Sequence, residues 1–170
     1  MNEIFKRAKQ FFRAVTAHLT EEDKKYISAH LSGEEQKLFF AMSKPDQFHC
    51  LRTAYTVEEK FLPENPHVEK NFMIRCALLH DAGRVKNDLS IAGKIFTVLV
   101  TKFFPALADK LERSGNHALY IYKNHPAIGA AKLKKIGLIR ESEIIAEHHT
   151  KPNENDPDEL KILRLADEEN

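Results

Sequence analysis

The stretch "CALLHDAGRVKND", residues 76–88, decides how this chain is read. Met73, Cys76, Ala77 and His80 recur at i, i+3, i+4 and i+7, one stripe of an α-helix, so the run is helical and His80 faces inward. Asp81 follows at the helix end, beside the negative pole of the macrodipole, where a cation is favoured. A buried carboxylate there needs a positive partner. A metal ion and an ion pair with Arg84 or Lys86 both meet that need. Gly83 reads as the C′ residue that closes the helix.

Outward from this point the periodicity stays helical, and no convincing strand run is found. Ile4, Ala8, Phe11, Phe12 and Val15 outline an amphipathic first helix. Thr20 with Asp23, and Ser32 with Glu35, resemble capping boxes that open two short helices. Pro45 suits the first turn of a helix running to Leu62 or so, and "PENPH" (63–67) breaks the chain. The apolar stretch 88–113 reads as one long helix or two, broken at Pro105. "SGN" (114–116) is a turn, a helix runs on to Asn124 or so, and Pro126 starts the next. After a turn at Gly137, a helix spans roughly Glu141 to His149, and a last one carries Leu160, Leu163 and Asp167. The expectation is an all-α, compact bundle of roughly eight to ten helices. It forms one domain over 1–170: N-terminal helices over 1–44, and a core over 45–170 with an apolar insert at 88–116.

Lys and Arg number 26 against 25 Asp and Glu, so no global charge favours a nucleic-acid polymer. Two cysteines without a CxxC pattern fit a reducing compartment, and the charged N-terminus lacks a signal-peptide core, so the expected location is cytoplasmic. The longest apolar run, 95–108, is interrupted by Lys102 and Pro105, and no transmembrane segment is expected. Two readings attach to 91–111: a core helix pair, or an exposed lid, membrane-surface contact or homodimer interface through the 88–116 region.

Nine histidines are the unusual count. His148 shares a face with Ile144 and Ile145 and points inward. His149 lies ~100° around a regular helix, so both rings are not expected on one ion. His125, before Pro126, reads as a helix cap or a conformationally restricted ligand. Asp167 lies on the stripe of Leu160 and Leu163, where a carboxylate is costly unless compensated, or is simply exposed near the chain end. His49 falls outside both apolar arcs of its helix, nearer Arg52, Thr53 and Thr56.

In order the chain carries His49, then His80–Asp81, His125–Pro126, His148–His149 and Asp167. This set resembles the HD superfamily of metal-dependent phosphohydrolases, from Gln47 to Asp167 or so. The resemblance implies one metal held by His49, His80, Asp81 and Asp167. It also implies a second, as in the subgroup that includes cyclic dinucleotide phosphodiesterases, bridged by Asp81 and held by His125 and His148, with His149 a further ligand or phosphate contact. Many relatives read HDIGK where this chain reads "HDAGR", so Arg84 would take the lysine's place on a phosphate, with Asp81 at the catalytic ion. The GYP tripeptide of the cyclic-di-GMP branch is absent.

Mixed imidazole and carboxylate ligands suit one or two divalent transition ions, Mn, Fe, Zn, Co or Ni. Such an ion lowers the pKa of a bound water toward ~7, and two ions ~3.5–4 Å apart could hold the resulting hydroxide. The expected activity is hydrolysis of a small-molecule phosphoester, a nucleotide or cyclic (di)nucleotide. Lys151 is a second phosphate candidate or a solvated loop lysine. The alternative is a metal-bearing but catalytically silent signalling or interaction module.

Overall fold

The computed structural model describes residues 18–86 and 91–170, except the side chains at 91, 92, 94 and 95. The amphipathic first helix and the start of the apolar segment at Asp88 lie outside the described residues. In chain order the α-helices are α1 (Glu21–His30), α2 (Gly33–Ala41), α3 (Lys44–Thr56), α4 (Lys70–Leu79), α5 (Ile91–Phe103), α6 (Pro105–Arg113), α7 (His117–Lys135), α8 (Ile139–Glu147) and α9 (Asp158–Glu169). The all-α architecture is as expected, with nine α-helices and no strand among the described residues. No helix among them is long and apolar enough to cross a membrane.

Local chemistry sets these boundaries. Thr20 and Asp23 cap α1 reciprocally: the Asp23 amide donates to the Thr20 hydroxyl at 3.1 Å, and the Thr20 amide to Asp23 Oδ2 at 2.8 Å. The Ser32 amide donates to Glu35 Oε2 at 2.9 Å, as the second capping box predicts. Pro45 sits in the first turn of α3, which continues into one π-turn (Val57–Phe61) and a 3₁₀ turn (Leu62–Glu64) before "PENPH" ends it. Pro105 separates α5 from α6, and Gly115 and Gly137 take positive φ in the turns where breaks were expected.

Helix α4 is the axis of the molecule. Seven of its ten residues are buried, which is the mark of a helix enclosed on nearly all sides. It packs against α1, α2, α3, α8 and α9. Met73, Ile74, Leu78 and Leu79 are fully enclosed there with Ile27, Phe39, Leu51, Ile145 and Leu163. Each such side chain contributes ~1.5–3 kcal/mol through burial. Enclosing α4 this way fixes where its C-terminal end points.

Two expectations are corrected here. Helix α7 does not start at Pro126 but runs through it, so His125 is a fully buried mid-helix residue and not a cap. Gly83 is not a left-handed helix terminator, since the described glycines with positive φ are Gly115 and Gly137. It is small for another reason: a Cβ there would lie 1.9 Å from the His125 carbonyl oxygen. Gly129 faces it, with the Gly83 amide nitrogen 3.1 Å from where a Gly129 Cβ would sit. The turn after α4 therefore touches the backbone of α7 directly, and Lys132 Nζ holds it by donating to the Ala82 carbonyl at 2.8 Å.

The reading of 91–111 as a core helix pair is also corrected. Phe96, Leu99, Phe103, Phe104 and Leu107 are exposed. Val100, Ala108 and Leu119 form a small cluster apart from the main core. Helices α5 and α6 pack on each other and on α7, which leaves one face of the pair uncovered among the described residues.

Candidate metal centre

The C-terminal ends of α4, α8 and α9 meet the middles of α3 and α7, and seven side chains converge there. Three of the rings are oriented by one device. His80 caps α4, and its Nδ1 donates to the Ala77 carbonyl at 2.8 Å. His148 caps α8, and its Nδ1 donates to the Ile145 carbonyl at 2.7 Å. Both carbonyls lie in last turns, where helical donors run out. His125 is mid-helix, yet its Nδ1 donates to the Tyr122 carbonyl at 2.7 Å. Pro126 explains this: it stands four residues after Tyr122 and has no N–H to donate. A carbonyl only accepts, so Nδ1 carries the hydrogen and Nε2 is the ligand atom presented to the centre.

The ligand atoms fall into two abutting groups. Those of His49, His80 and Asp81 lie within 4.8 Å of one another, and so do those of His125, His148 and His149. Asp81 stands between them, with Oδ2 3.9 Å from His80 Nε2 and Oδ1 3.1 Å from His125 Nε2. Asp167 also reaches both: its Oδ1 is 2.7 Å from His49 Nε2 and 3.6 Å from His80 Nε2, and its Oδ2 is 3.9 Å from His149 Nε2. Nε2 of His80 and His148, and Oδ1 of Asp81, are buried with no hydrogen-bond partner among the described residues. Three unpartnered buried polar atoms in one place are costly unless a cation is shared between them. The residues present thus fit a divalent transition ion.

Charge follows the geometry. Burial pushes the Asp81 carboxyl up, but Arg84 and His80 outweigh it and hold it well below the usual range. Burial likewise raises Asp167, but the hydrogen bond to His49 and the nearby His80 ring outweigh it and hold the carboxyl well below its ordinary value. Burial, His80 and His149 hold His148 well below the usual imidazole value. Burial and the nearby His125 bring His149 down to about 4. Both are therefore neutral donors at pH 7, the form a metal requires. His80 differs: burial would lower it, but Cys50, Asp81 and Asp167 hold it well above the ordinary value. The carboxylates that favour a proton on that Nε2 favour a divalent ion there too.

All seven residues singled out as ligand candidates meet here. His49, left on a polar helix face by its phase, turns that face toward Asp167. The expectation that His148 and His149 diverge is corrected. Helix α8 ends at Glu147, the pair lies in the following turn, and their ring centroids are 4.2 Å apart. The ion-pair reading of Asp81 is present alongside the ligand geometry, since Arg84 Nη1 is 2.7 Å from Oδ2. Lys151 is exposed in the loop after α8.

Sequence reasoning missed Asp46. It is buried, accepts a short hydrogen bond from the Ser43 hydroxyl, and lies 3.9 Å from Arg84 Nη1. The signal was there: Ser43 and Asp46 bracket Pro45 at capping-box spacing, and Asp46 precedes His49 by three residues on one helix face.

The family model described as HD domain matches residues 48–169, a span that includes all seven side chains. Comparison with curated proteins gave no match, and comparison with solved structures gave none.

Proposed function

The chain belongs to the HD domain family, and from that premise we propose that it is a cytoplasmic, metal-dependent phosphohydrolase acting on a nucleotide or cyclic (di)nucleotide. The observation that carries this reading is the pair of abutting ligand groups joined by Asp81 and Asp167. His49, His80, Asp81 and Asp167 would hold one ion, and Asp81, His125, His148 and His149 a second. A bound divalent ion supplies Lewis acidity toward a phosphoryl oxygen and makes a water acidic enough to attack at neutral pH.

The chain's own residues do the rest. The carbonyl-anchored imidazoles keep their Nε2 atoms fixed before any ligand arrives, so little reorganisation is left for the reaction. Arg84 offers a planar fork for two phosphate oxygens and would neutralise charge as it develops. Lys151 could add a weaker contact from the loop. Two unpaired cysteines, Cys50 and Cys76, suit a reducing compartment. A second copy of the chain, docked through 88–116, is part of the same proposal and is supported by the exposed apolar face of α5 and α6.

Metal analysis of the purified protein and a phosphoester panel on wild type and Asp81→Ala test the reading. Bound transition metal, with turnover of at least one ester that the variant loses, is the expected result. No metal, with equal rates in both proteins, removes it.

A further inference from the structure

Arg84 touches one ligand atom on each side of the centre: the Asp81 oxygen nearer His80, and the His125 nitrogen that a second ion would need. Its Nη1 lies 2.7 Å from Asp81 Oδ2, and its Nη2 lies 3.0 Å from His125 Nε2. The His125 lone pair there is the one left by its Nδ1–H bond to Tyr122, and one lone pair cannot serve a guanidinium and a metal at once. The side chain is largely buried, so its charge stands inside the centre and is poorly screened from it. Arg84 is not fully satisfied in this position. Its Nε is buried without a hydrogen-bond partner among the described residues, and Asp46 Oδ1, beyond Nη1, is 3.9 Å away. A guanidinium with an unspent donor is drawn to an anion that can take it in a fork, and a phosphate is such an anion.

We infer that Arg84 is an internal counter-cation that holds His125 Nε2 against a second metal ion until a phosphate group draws its guanidinium away, so that phosphate binding and second-ion binding are coupled. This rests on the metal-dependent reading above and adds to it the order of loading. In the first group Arg84 touches only Asp81 Oδ2, and the ligand atoms of His49, His80 and the neighbouring Asp167 stay clear of it, so one ion binds without phosphate. The second group gives up its contact to Arg84 when the phosphate competes for it. Coupling is reciprocal, so the second ion must tighten phosphate binding by the factor by which phosphate tightens the ion.

The test is calorimetric titration of the full chain with Mn²⁺ and separately with Zn²⁺, with and without inorganic phosphate, backed by metal analysis. In wild type without phosphate, one ion is expected to bind tightly and a second at least ~10-fold more weakly, with phosphate closing that gap. Arg84→Gln is expected to take two ions without phosphate and to gain less from its addition than wild type does. Should that variant fail to fold, Arg84→Lys keeps a charge beside Asp81 but cannot span to His125, and carries the same expectation. Two equally tight ions in phosphate-free wild type overturn the inference, as does a folded variant with unchanged second-ion affinity. Both outcomes leave the metal-dependent reading standing. A wild type that takes up neither metal ends the two together.

Discussion

Pro126 acts on the centre through a hydrogen bond it cannot make. By withholding an amide from Tyr122 it leaves a carbonyl for His125 Nδ1, and so reproduces in mid-helix what the ends of α4 and α8 give His80 and His148. Pro126→Ala restores the amide, which then competes for that carbonyl. The helix should be no less stable, because an interior proline costs ~3 kcal/mol relative to alanine. Metal affinity should nonetheless fall by ~10–100-fold, the usual effect of losing a bond that orients a ligand. Calorimetry beside circular dichroism checks this. Unchanged affinity in a folded variant would show that Tyr122 does not orient the ring.

Between elements, the decisive contact is backbone on backbone, where the turn after α4 meets α7. Gly83→Ala would set a Cβ 1.9 Å from the His125 carbonyl oxygen, and neither main chain can yield without moving a ligand. We expect a loss of ~1–3 kcal/mol or more, together with weakened metal binding, read by thermal melting and titration. Gly33→Ala is the control, since nothing lies within 4 Å of a Cβ there. A second latch ties α1 to the end of α3. Tyr26 donates to Glu58 Oε2 at 2.7 Å, and Tyr55 donates to Asp23 Oδ1 at 2.8 Å. Burial pushes the Glu58 carboxyl up, but Lys70 and Tyr26 outweigh it and hold it below its ordinary 4.5. Burial and Glu58 raise the Tyr26 hydroxyl above its ordinary 10. A depressed carboxylate stabilises the fold above its unfolded pKa and loses that contribution as pH falls through the folded one. A raised phenol stabilises below its unfolded pKa and loses it as pH rises. The latch is therefore expected to be pH-independent between ~4.5 and ~10 and to weaken outside that window. Tyr26→Phe should cost ~1 kcal/mol, discounted for partial exposure, and flatten the acid limb of a melting-temperature profile. An acid limb as steep as wild type would show that the bond contributes nothing.

At the scale of the whole molecule, the main core is organised around α4, and α5 with α6 stand outside it. Exposed Phe96, Leu99, Phe103, Phe104 and Leu107 contribute little to the stability of one chain, so Leu99→Ser with Phe103→Ser should shift it within ~0.5 kcal/mol per site. If a second copy covers this face, the same double variant sediments as a monomer at concentrations where wild type is a dimer. Wild type that stays monomeric throughout removes the dimer from the proposal.

Helical periodicity made the all-α fold readable in the sequence, because a stripe such as Met73, Cys76, Ala77 and His80 has one helical explanation. Residue type and order were equally readable: imidazoles and carboxylates mark metal chemistry wherever they sit. The convergence of His49, His125 and Asp167 came only from the family resemblance, since contacts across 118 residues such as His49–Asp167 leave no local pattern. Nor could phase alone place His149, whose direction depends on where α8 stops, or His125, whose helix continues through a proline that locally reads as a start. Periodicity is a property of neighbours along the chain and survives in the sequence. The position of one helix end against another is set by how α4 is enclosed, and that is settled only when the chain packs.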